Sequence, residues 1–424
     1  MNDRPSIAAG RATPVPPATR AEAEALDAAD PLARHREAFD LPPGIYLDGN
    51  SLGPLAHAAR ERVRRCVDAE WGRGLIASWN AADWVGLPRT VGARIAPLIG
   101  AGADDVRVAD STSVNLFKVL AAALTLRPDR RVVVSQRGNF PTDLYTAEGL
   151  LGLMGGRELR LVDTGEEAAA ALGDDVAVLM LTHIDYRDGT MLDMAALTEA
   201  AHRAGTLTVW DLAHSTGAVP VDLAGCGADF AVGCGYKYLN GGPGAPAHLY
   251  VAPGHQADAR NPLSGWFAHA RPFAFETEFR PAEGADRFLC GTPPVLSTVA
   301  LDAALDLWDG IDMADVRAKS MALTELFIDR VEASAPDLRL VTPREAARRG
   351  SQVSFAWDNA YPLVSALIER GVTGDFRSPD IARFGFTPLY TRYLDAWDAA
   401  EAIADVLRTG AWDEPRHHER RAVT

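Results

Sequence analysis

The stretch LTVWDLAHSTGAVPVDLAGCGADFAVGCGYKYLNGG, residues 207–242, carries the strongest indication of the fold. Residues 207–210 and 228–232 are short, largely apolar runs that predict two strands, and reactive side chains follow each run closely. Continuous apolar runs are typical of strands that are buried on both faces of a sheet. Because predicted strands and helices alternate on both sides of this stretch, the sequence predicts an α/β fold with an open, mostly parallel sheet.

Further apolar runs extend the predicted sheet in both directions along the chain. Strands are expected at residues 106–108, 131–135, 159–162, 176–181 and 247–251, with helices at 114–124 and 194–204. The last third of the chain differs, because helices are expected at 294–309, 313–335, 363–370 and 394–407 around two short strands. That pattern predicts a smaller α+β domain.

These elements predict a division of the chain into domains. Residues 1–20 are expected to form a mobile leader, and residues 21–60 a segment that contributes to the small domain. The large α/β domain is expected over residues 61–293 and the small C-terminal domain over 294–413. Residues 414–424 are polar and are expected to form a frayed tail.

The composition limits the classes of partner and compartment. The chain has 424 residues, and its 42 Lys and Arg against 57 Asp and Glu leave a net charge of −15, which disfavours nucleic acid and anionic membrane surfaces as partners. The longest nearly apolar run, residues 119–126, is far shorter than the roughly 20 residues that cross a bilayer. The four cysteines form no CxxC pair, so no metal site is expected and a reducing cytoplasm is the predicted compartment.

The candidates for chemistry are the residues that follow the strands, because ligands of open α/β sheets bind beyond the carboxyl ends of the strands. Asp211 and His214 follow one strand, and Lys237 lies between two tyrosines after the next, ahead of a glycine-rich turn. Each has an ordinary alternative. Asp211 could be a helix N-cap, His214 a hydrogen-bonded core imidazole, and Lys237 an exposed loop lysine.

Two further segments follow predicted strands. Thr112 and Ser113 open a helix, where free N–H groups attract phosphate, but simple helix capping explains them equally well. Phe140 precedes a proline and an acid in the segment Asn139-Phe-Pro-Thr-Asp143, which suits stacking against a flat ligand. Taken singly, capping and an ordinary turn are the preferred interpretations of these two segments.

The combination favours a site for pyridoxal 5′-phosphate (PLP). PLP needs a lysine amine that bonds to its aldehyde, an acid against its ring nitrogen, a group that stacks on the ring and a cup for its phosphate. These functions can be supplied, in that order, by Lys237, by Asp211, by Phe140 or His214, and by Thr112 with Ser113. All of them follow predicted strands of one sheet.

The sequence also resembles the kynureninase family, PLP-dependent enzymes of the aspartate aminotransferase (type I) fold. The resemblance runs from about Tyr46 to Tyr390. It rests on seven segments: Tyr46-Leu-Asp-Gly-Asn-Ser-Leu-Gly53, Phe140-Pro-Thr-Asp-Leu-Tyr145, His183-Ile-Asp-Tyr-Arg-Asp-Gly189, Trp210-Asp-Leu-Ala-His-Ser-Thr-Gly217, Gly235-Tyr-Lys-Tyr-Leu-Asn-Gly-Gly242, Ser264-Gly-Trp-Phe-Ala-His269 and Arg287-Phe-Leu-Cys-Gly-Thr-Pro-Pro294.

The resemblance implies a role for each of a set of residues. Three are implied to be catalytic: Lys237 as the residue that bonds to PLP, Asp211 against the ring nitrogen, and Tyr236 as a proton donor. The other implied cofactor contacts are Thr112, Ser113, Phe140, Pro141, Thr142, Asp143, Thr182, His214, Trp266 and Thr292, the last two from the partner subunit of a homodimer. Arg383 is implied to hold the substrate α-carboxylate, with Asn50 and Ser51 as further substrate contacts.

The implied reaction is the hydrolysis of the Cβ–Cγ bond of L-kynurenine to anthranilate and L-alanine, within tryptophan catabolism. The substrate is thus a small amino acid, and 3-hydroxykynurenine would give 3-hydroxyanthranilate in the same way. Lys237 is implied to remove the Cα proton of the substrate, and Tyr236, near the phosphate, is the candidate acid for the alanyl carbon.

Three alternative functions fit the sequence less well. A cysteine desulfurase or selenocysteine lyase needs a mobile cysteine late in the chain, and no cysteine follows Cys290. A PLP-binding regulator would not need Arg383 and Tyr236 and usually carries a basic DNA-binding module, which the sequence lacks. A metal hydrolase would need clustered ligands, and the segment His417-His418-Glu419 is expected to be solvated in the tail.

Overall fold

The structure is a computed structural model that describes residues 16–420. Its helices are α1 (Arg20–Ala29), α2 (His57–Arg65), α3 (Ser78–Ala81), α4 (Leu87–Ile95), α5 (Thr112–Thr125), α6 (Pro141–Met154), α7 (Gly165–Ala170), α8 (Met194–Arg203), α9 (Leu223–Cys226), α10 (Val295–Ala304), α11 (Met313–Ser334), α12 (Ala360–Glu369) and α13 (Tyr393–Thr409). Its strands are β1 (Phe39–Asp40), β2 (Ile45–Tyr46), β3 (Leu55–Ala56), β4 (Val106–Ala109), β5 (Val132–Gln136), β6 (Glu158–Val162), β7 (Val176–Thr182), β8 (Leu207–Asp211), β9 (Phe230–Gly233), β10 (Ala247–Val251), β11 (Arg339–Leu340), β12 (Gln352–Ala356), β13 (Val372–Thr373), β14 (Asp375–Arg377) and β15 (Ile381–Gly385).

A seven-stranded sheet forms the centre of the fold, with the strand order β4-β10-β9-β8-β7-β5-β6. Strands β6, β5, β7, β8 and β9 pair in parallel, and β10 runs antiparallel to both β9 and β4. Strands β7 and β8 are buried at every position, as their continuous apolar runs predict. The predicted α/β class with a mostly parallel sheet is confirmed.

A second, smaller unit contains a four-stranded sheet of order β11-β12-β15-β14. Helices α11, α12 and α13 pack with this sheet around a separate apolar core, in which Phe327, Phe355 and Phe384 are fully buried. All of its strand pairs are antiparallel. The predicted small α+β domain is therefore present at the C-terminal end of the chain.

The boundaries between the two cores differ from those expected. Helix α10 packs against α2, and Val299, Leu301 and Trp308 belong to the core of the large unit, so the small unit begins near α11 rather than at residue 294. The segment expected to join the small domain, residues 21–60, is divided. Ala23 and Leu47 are buried in the small core, whereas Phe39, Ala56 and Ala59 pack in the large one.

The two ends of the chain also differ from the expectations. Residues 1–15 of the expected leader and residues 421–424 of the tail lie outside the described residues, and Thr19 is already the N-cap of α1. The tail is not frayed over the part that the structure describes. His417 is buried and hydrogen-bonds to Ser365 through Nδ1 (3.0 Å), and Tyr361 donates to the carbonyl oxygen of Glu419 (2.9 Å). His417 is thus not solvated, because α12 offers it polar partners.

Between residues 16 and 420, none of the helices is long and apolar enough to cross a bilayer. The same range holds no group of three or more His, Cys, Asp or Glu side chains that could bind a metal ion.

Candidate active site

The carboxyl ends of β4, β5, β7, β8 and β9 meet at one edge of the central sheet, because these five strands run in the same direction. A cavity of about 210 Å³ opens at this edge. It is lined by thirteen of the residues predicted for the site: Asn50, Ser51, Thr112, Ser113, Phe140, Thr142, Asp143, Thr182, Asp211, His214, Tyr236, Lys237 and Arg383. The structure therefore brings together residues that are up to 333 positions apart, from Asn50 to Arg383.

Lys237 faces an imidazole inside this cavity. Its Nζ lies 3.0 Å from Nε2 of His214 and 5.9 Å from the ring centre of Tyr236. His214 is buried, and burial together with the charge of Lys237 holds the pKa of His214 well below its ordinary value. A neutral imidazole can accept a hydrogen bond from the amine, so His214 is more than a packed core residue.

Two carboxyl groups lie buried beside Lys237. Burial raises the pKa of Asp211, although the charge of Lys237 opposes that shift and the backbone N–H of Ala213 donates to its Oδ1 (2.7 Å). Burial and the Asp211 carboxylate raise the pKa of Asp143 well above its ordinary range. Of the two acids, Asp143 therefore holds its proton more strongly, and Asp211 is the one that ionises first.

The N-terminus of α5 forms one wall of the cavity. Ser111 is its N-cap and accepts a hydrogen bond from the backbone N–H of Val114 (3.4 Å), so capping is one function of this segment. Thr112 and Ser113 line the cavity itself, where the positive end of the helix dipole favours an anion. They also line an adjoining cavity of about 560 Å³.

The remaining predicted contacts are placed around this wall or outside it. Phe140 is 41% exposed and meets the ring of Tyr186 edge to face, with 5.1 Å between the ring centres. Pro141 is the first residue of α6 and does not line the 210 Å³ cavity. Thr292 lines the adjoining cavity. Trp266 lines neither cavity and packs against Phe267, with 4.7 Å between the ring centres.

Arg383 stands at the opposite side of the cavity and is almost fully buried. Asp375 binds it in a bidentate pair, with Oδ1 2.8 Å from Nε and Oδ2 2.5 Å from Nη2. Ser51 Oγ lies 3.0 Å from Nη2, and Asn50, with its amide oxygen turned toward the guanidinium, lies 3.0 Å from Nε. The position of Arg383 is therefore fixed by partners from two other segments.

Several residues of the site were not identified from the sequence. Tyr186, Ala213 and Arg377 line the cavity, and Asp375 binds both Arg377 (2.5 Å) and Arg383. Tyr186 and Ala213 lie in two of the segments that carry the family resemblance, so their position there was the available signal. Asp375 carries no local signal, since its role depends on the pairing of β14 with β15.

Curated proteins with closely related sequences share almost the full length of this chain. "Kynureninase" of Burkholderia mallei (strain SAVP1) is 53% identical over 414 residues, which are 96% of this chain and 100% of that protein. "Kynureninase" of Pseudomonas fluorescens is 52% identical with the same coverage of both chains. The chain belongs to the kynureninase family. The family model "Kynureninase C-terminal domain" matches residues 316–403, which lie in the small unit of this family member.

Solved structures with the same fold are more distant in sequence. The cysteine desulfurase CsdA from Escherichia coli matches with a TM-score of 0.76 at 19% identity, covering 89% of this chain and 98% of that chain. A mutant of the lyase C-DES with glycine linked covalently to its PLP cofactor matches with a TM-score of 0.74 at 18% identity, covering 87% and 98%. These similarities show the fold alone, and they confirm the predicted PLP-dependent transferase type.

The residues at the sheet edge fit PLP, the cofactor of this family. Asp211 offers a buried anion to a cationic ring nitrogen, and Oδ2 of Asp143 is buried without a hydrogen-bond partner within residues 16–420. The first turn of α5 offers N–H groups to a phosphate, and Lys237 offers the amine. The chain is an enzyme, and PLP is its cofactor.

Proposed function

We propose that this chain hydrolyses L-kynurenine to anthranilate and L-alanine at the cavity that Lys237, Asp211 and Arg383 line together. The observation that carries the proposal is this convergence, because a lysine amine and a buried anion suit PLP while a fixed arginine suits a carboxylate. Membership of the kynureninase family, at 53% identity along nearly the whole chain, supports the same activity.

Bound PLP supplies the electron sink that cleavage of a carbon–carbon bond beside a ketone requires. Lys237 would hold it through its side-chain amine, and the same amine would take the proton from Cα of the substrate. His214, 3.0 Å from Nζ, accepts a hydrogen bond from Lys237 and thereby orients that amine. Asp211 holds the positive charge of the cofactor ring, since its carboxylate is the anion of the buried pair.

Arg383 orients the substrate in this proposal by binding its α-carboxylate. Nη1 of the guanidinium donates one of its two N–H groups to the carbonyl oxygen of Tyr186. Within residues 16–420, the second N–H is left to bind the carboxylate. Asn50 and Ser51 hold the same guanidinium from the N-terminal segment and complete the substrate side of the site.

Tyr236 is the proposed donor of the proton that the alanyl carbon needs after the bond has broken. Burial raises the pKa of Tyr236 above its ordinary value, and the neighbouring Cys234 and Asp211 raise it further. The phenol therefore keeps its proton at neutral pH and is available as a general acid. Tyr236 lines both cavities together with Thr112 and Ser113, which supports a position at the phosphate side.

A second copy of the chain is proposed to complete the site. Trp71, Ile76 and Phe275 expose 55%, 80% and 79% of their surface, and large apolar groups of this kind are typical of an interface when they lie together. Trp266 and Thr292 would contact the cofactor from the partner subunit, which fits their position outside the 210 Å³ cavity of their own chain. A cytoplasmic location is proposed from the free cysteines.

The position of Cys290, the last cysteine in the sequence, argues against a cysteine desulfurase. Cys290 does not line the 210 Å³ cavity, and its carbonyl oxygen accepts a hydrogen bond from the backbone N–H of Phe267 (3.1 Å). The structural similarity to desulfurases is one of fold, at 19% identity. We therefore expect Cys290→Ala to cleave kynurenine as the wild type does.

The proposed function is tested by adding PLP and then kynurenine to the purified chain. We expect the yellow absorbance of a lysine-bound cofactor and then the fluorescence of anthranilate, with one alanine for each anthranilate. Lys237→Ala should lose both signals. Lys118→Ala is the control, because it removes a lysine of α5 that does not line the 210 Å³ cavity, and it is expected to keep the yellow absorbance. Yellow protein that leaves kynurenine intact would refute the substrate but not the cofactor site.

A further inference from the structure

Gln352 opens β12 in the small unit and is fully buried behind the active-site cavity. Its Nε2 donates to two backbone carbonyl oxygens, those of Asp185 (3.1 Å) and Tyr186 (3.0 Å). Because a carbonyl oxygen can only accept, the NH₂ end of the amide must face these two groups. The amide oxygen Oε1 therefore points the other way, and it needs a donor.

His214 is the side chain that lies opposite this oxygen. Within residues 16–420, His214 Nδ1 and Gln352 Oε1 are both buried, and neither has a hydrogen-bond partner. Gln352 is also a side chain whose interaction with the imidazole raises the pKa of His214, so its amide lies near that ring. An unsatisfied polar atom in a core is destabilising, and a hydrogen bond between these two atoms would satisfy both.

His214 carries a single ring proton in this environment. Burial and the positive charges of Lys237, Arg383 and Arg377 all lower its pKa, so the imidazole is neutral. Asp211 and Asp143 are the acids near Lys237, and the charge of that lysine lowers the pKa of each. A neutral imidazole holds its proton on one nitrogen, which leaves the other as an acceptor.

We propose that Gln352 is a positioning residue that fixes the tautomer of His214, with the proton on Nδ1 and the bare Nε2 facing Lys237. The inference rests on the proposed role of Lys237 and deepens it. With the other tautomer, an N–H of His214 would point at the Lys237 amine, and the 3.0 Å contact would have donors on both sides. Gln352 thus decides whether the amine meets an acceptor.

The same glutamine connects this acceptor to the substrate side of the site. The carbonyl oxygen of Tyr186 accepts from Gln352 and also from Nη1 of Arg383. Gly189 makes room for the glutamine, because a Cβ there would lie 3.0 Å from its Cγ, and Gly189 has a φ of +76° that side chains rarely adopt. One buried amide from the small unit therefore holds the residue 185–189 loop and the imidazole together.

The test compares Gln352→Met with Ser354→Ala. Ser354 lies two residues further along β12 and donates to the carbonyl oxygen of Arg187, so its loss loosens the same loop without touching His214. The ring nitrogens of His214 are observed by nuclear magnetic resonance in the full chain labelled with ¹⁵N-histidine, and the signals are assigned with His214→Asn. The rate at which Lys237 combines with added PLP is followed by absorbance.

We expect the wild type and Ser354→Ala to carry the proton of His214 on Nδ1. Gln352→Met should shift the tautomer ratio about fivefold or more toward Nε2–H, the effect of one lost hydrogen bond, and should slow the combination of Lys237 with PLP. Gln352→Leu also removes the acceptor oxygen and should shift the ratio the same way, which provides a second variant if Gln352→Met does not fold.

The proposal is overturned if His214 of the wild type carries its proton on Nε2, a result that needs no variant. It is also overturned if Ser354→Ala changes the tautomer ratio and the PLP rate as much as Gln352→Met does, because the role would then be purely structural. Neither measurement involves kynurenine. Failure of this inference is therefore distinct from failure of the proposed reaction.

Discussion

At the scale of single residues, the site depends on how burial distributes protons among neighbouring groups. Asp143 keeps its proton, Asp211 is the anion, and His214 stays neutral beside a lysine amine. The protonated state of Asp143 is not the ordinary one for a solvated carboxyl group, and burial is the largest cause of its raised pKa. The chemistry assigned to Lys237 follows from its neighbours rather than from the lysine itself.

Tyr236→Phe tests the proposed proton donor. The change removes the hydroxyl and leaves the ring, so we expect PLP to remain bound while the turnover of kynurenine falls about 10²-fold, as for loss of a general acid. Yellow absorbance and anthranilate release measure the two effects separately. Tyr145→Phe is the control, because Tyr145 is 67% exposed, and a Tyr236→Phe enzyme with normal turnover would exclude the role.

Asp48 predicts a pH dependence of stability. Burial, with the nearby Asp375, raises the pKa of Asp48 from 3.8 to about 7 in the folded chain. The folded state then holds a proton that the unfolded state releases, so the stability that this proton provides is complete below about pH 4 and is lost as the pH rises through 7. Asp48→Asn should remove that loss.

The measurement is urea unfolding of the wild type and of Asp48→Asn at several pH values between 4 and 8. We expect the free energy of unfolding of the variant to rise relative to that of the wild type as the pH rises, because Asn has no proton to release. A difference in the free energy of unfolding that stays constant across this range would contradict the prediction.

At the scale of elements, the N-terminal segment is attached to the small unit by a buried ion pair. Asp30 follows α1, and its Oδ2 lies 2.6 Å from Nζ of Lys319 on α11, with both side chains nearly fully buried. The same ammonium donates to the carbonyl oxygen of Pro388 (2.6 Å). A second pair, Arg20 with Asp398, joins α1 to α13 of the small unit in solvent (3.0 Å).

Asp30→Asn should destabilise the chain by about 3–5 kcal/mol, because it leaves a buried ammonium without its anion. The side-chain oxygen of Asn can still accept a hydrogen bond from the backbone N–H of Leu32. The loss of stability therefore measures the effect of the missing negative charge. Arg20→Ala is the matched control and should cost far less stability, since both partners are exposed. Equal losses for both variants, measured by urea unfolding, would show that burial of the pair is not what stabilises it.

At the scale of the whole molecule, large exposed apolar side chains mark a surface that a second copy is proposed to cover. Ile76 is 80% exposed and follows Leu75, which has a φ of +45°, in the segment after the π-helical turn Cys66–Gly74. Trp79, a few residues on, meets Phe267 with 6.2 Å between the ring centres, which places this segment beside Trp266. The proposed dimer would therefore form at the site.

Ile76→Glu should weaken the dimer, because a carboxylate would be buried in the proposed interface. We expect light scattering to give twice the chain mass for the wild type and one chain mass for the variant at micromolar concentration, with loss of kynurenine cleavage. Leu153→Glu is the control, since Leu153 is 77% exposed at the far end of α6. A wild type of one chain mass that is fully active would rule out the shared site.

Local patterns were sufficient to predict the sheet and the residues at its strand ends. Asp211, Lys237 and Thr112 follow apolar runs, and parallel strands bring their carboxyl ends to one edge wherever the strands pair. The family resemblance supplied Arg383, Asn50 and Ser51, which no strand of the central sheet carries. Their contact with the cavity depends on the small unit, so the resemblance was needed to connect them to it.

The boundary at residue 294 and the frayed tail were wrong for a common reason. Helix α10 and His417 have local sequences that fit either position, and the partner that buries each one lies far away in the chain, α2 for the first and α12 for the second. Burial is decided by which surfaces meet, and that information is not contained in a short window of sequence.

By itself, the sequence determined the fold class, the family and the amine and anion at the sheet edge, because apolar periodicity and contiguous motifs are local properties. The tertiary structure alone decided which acid keeps its proton, that Asp375 binds Arg383, and that Gln352 faces His214. These are consequences of distance and of exclusion from water between segments that are far apart in the chain. They arise only when the two units close on one cavity.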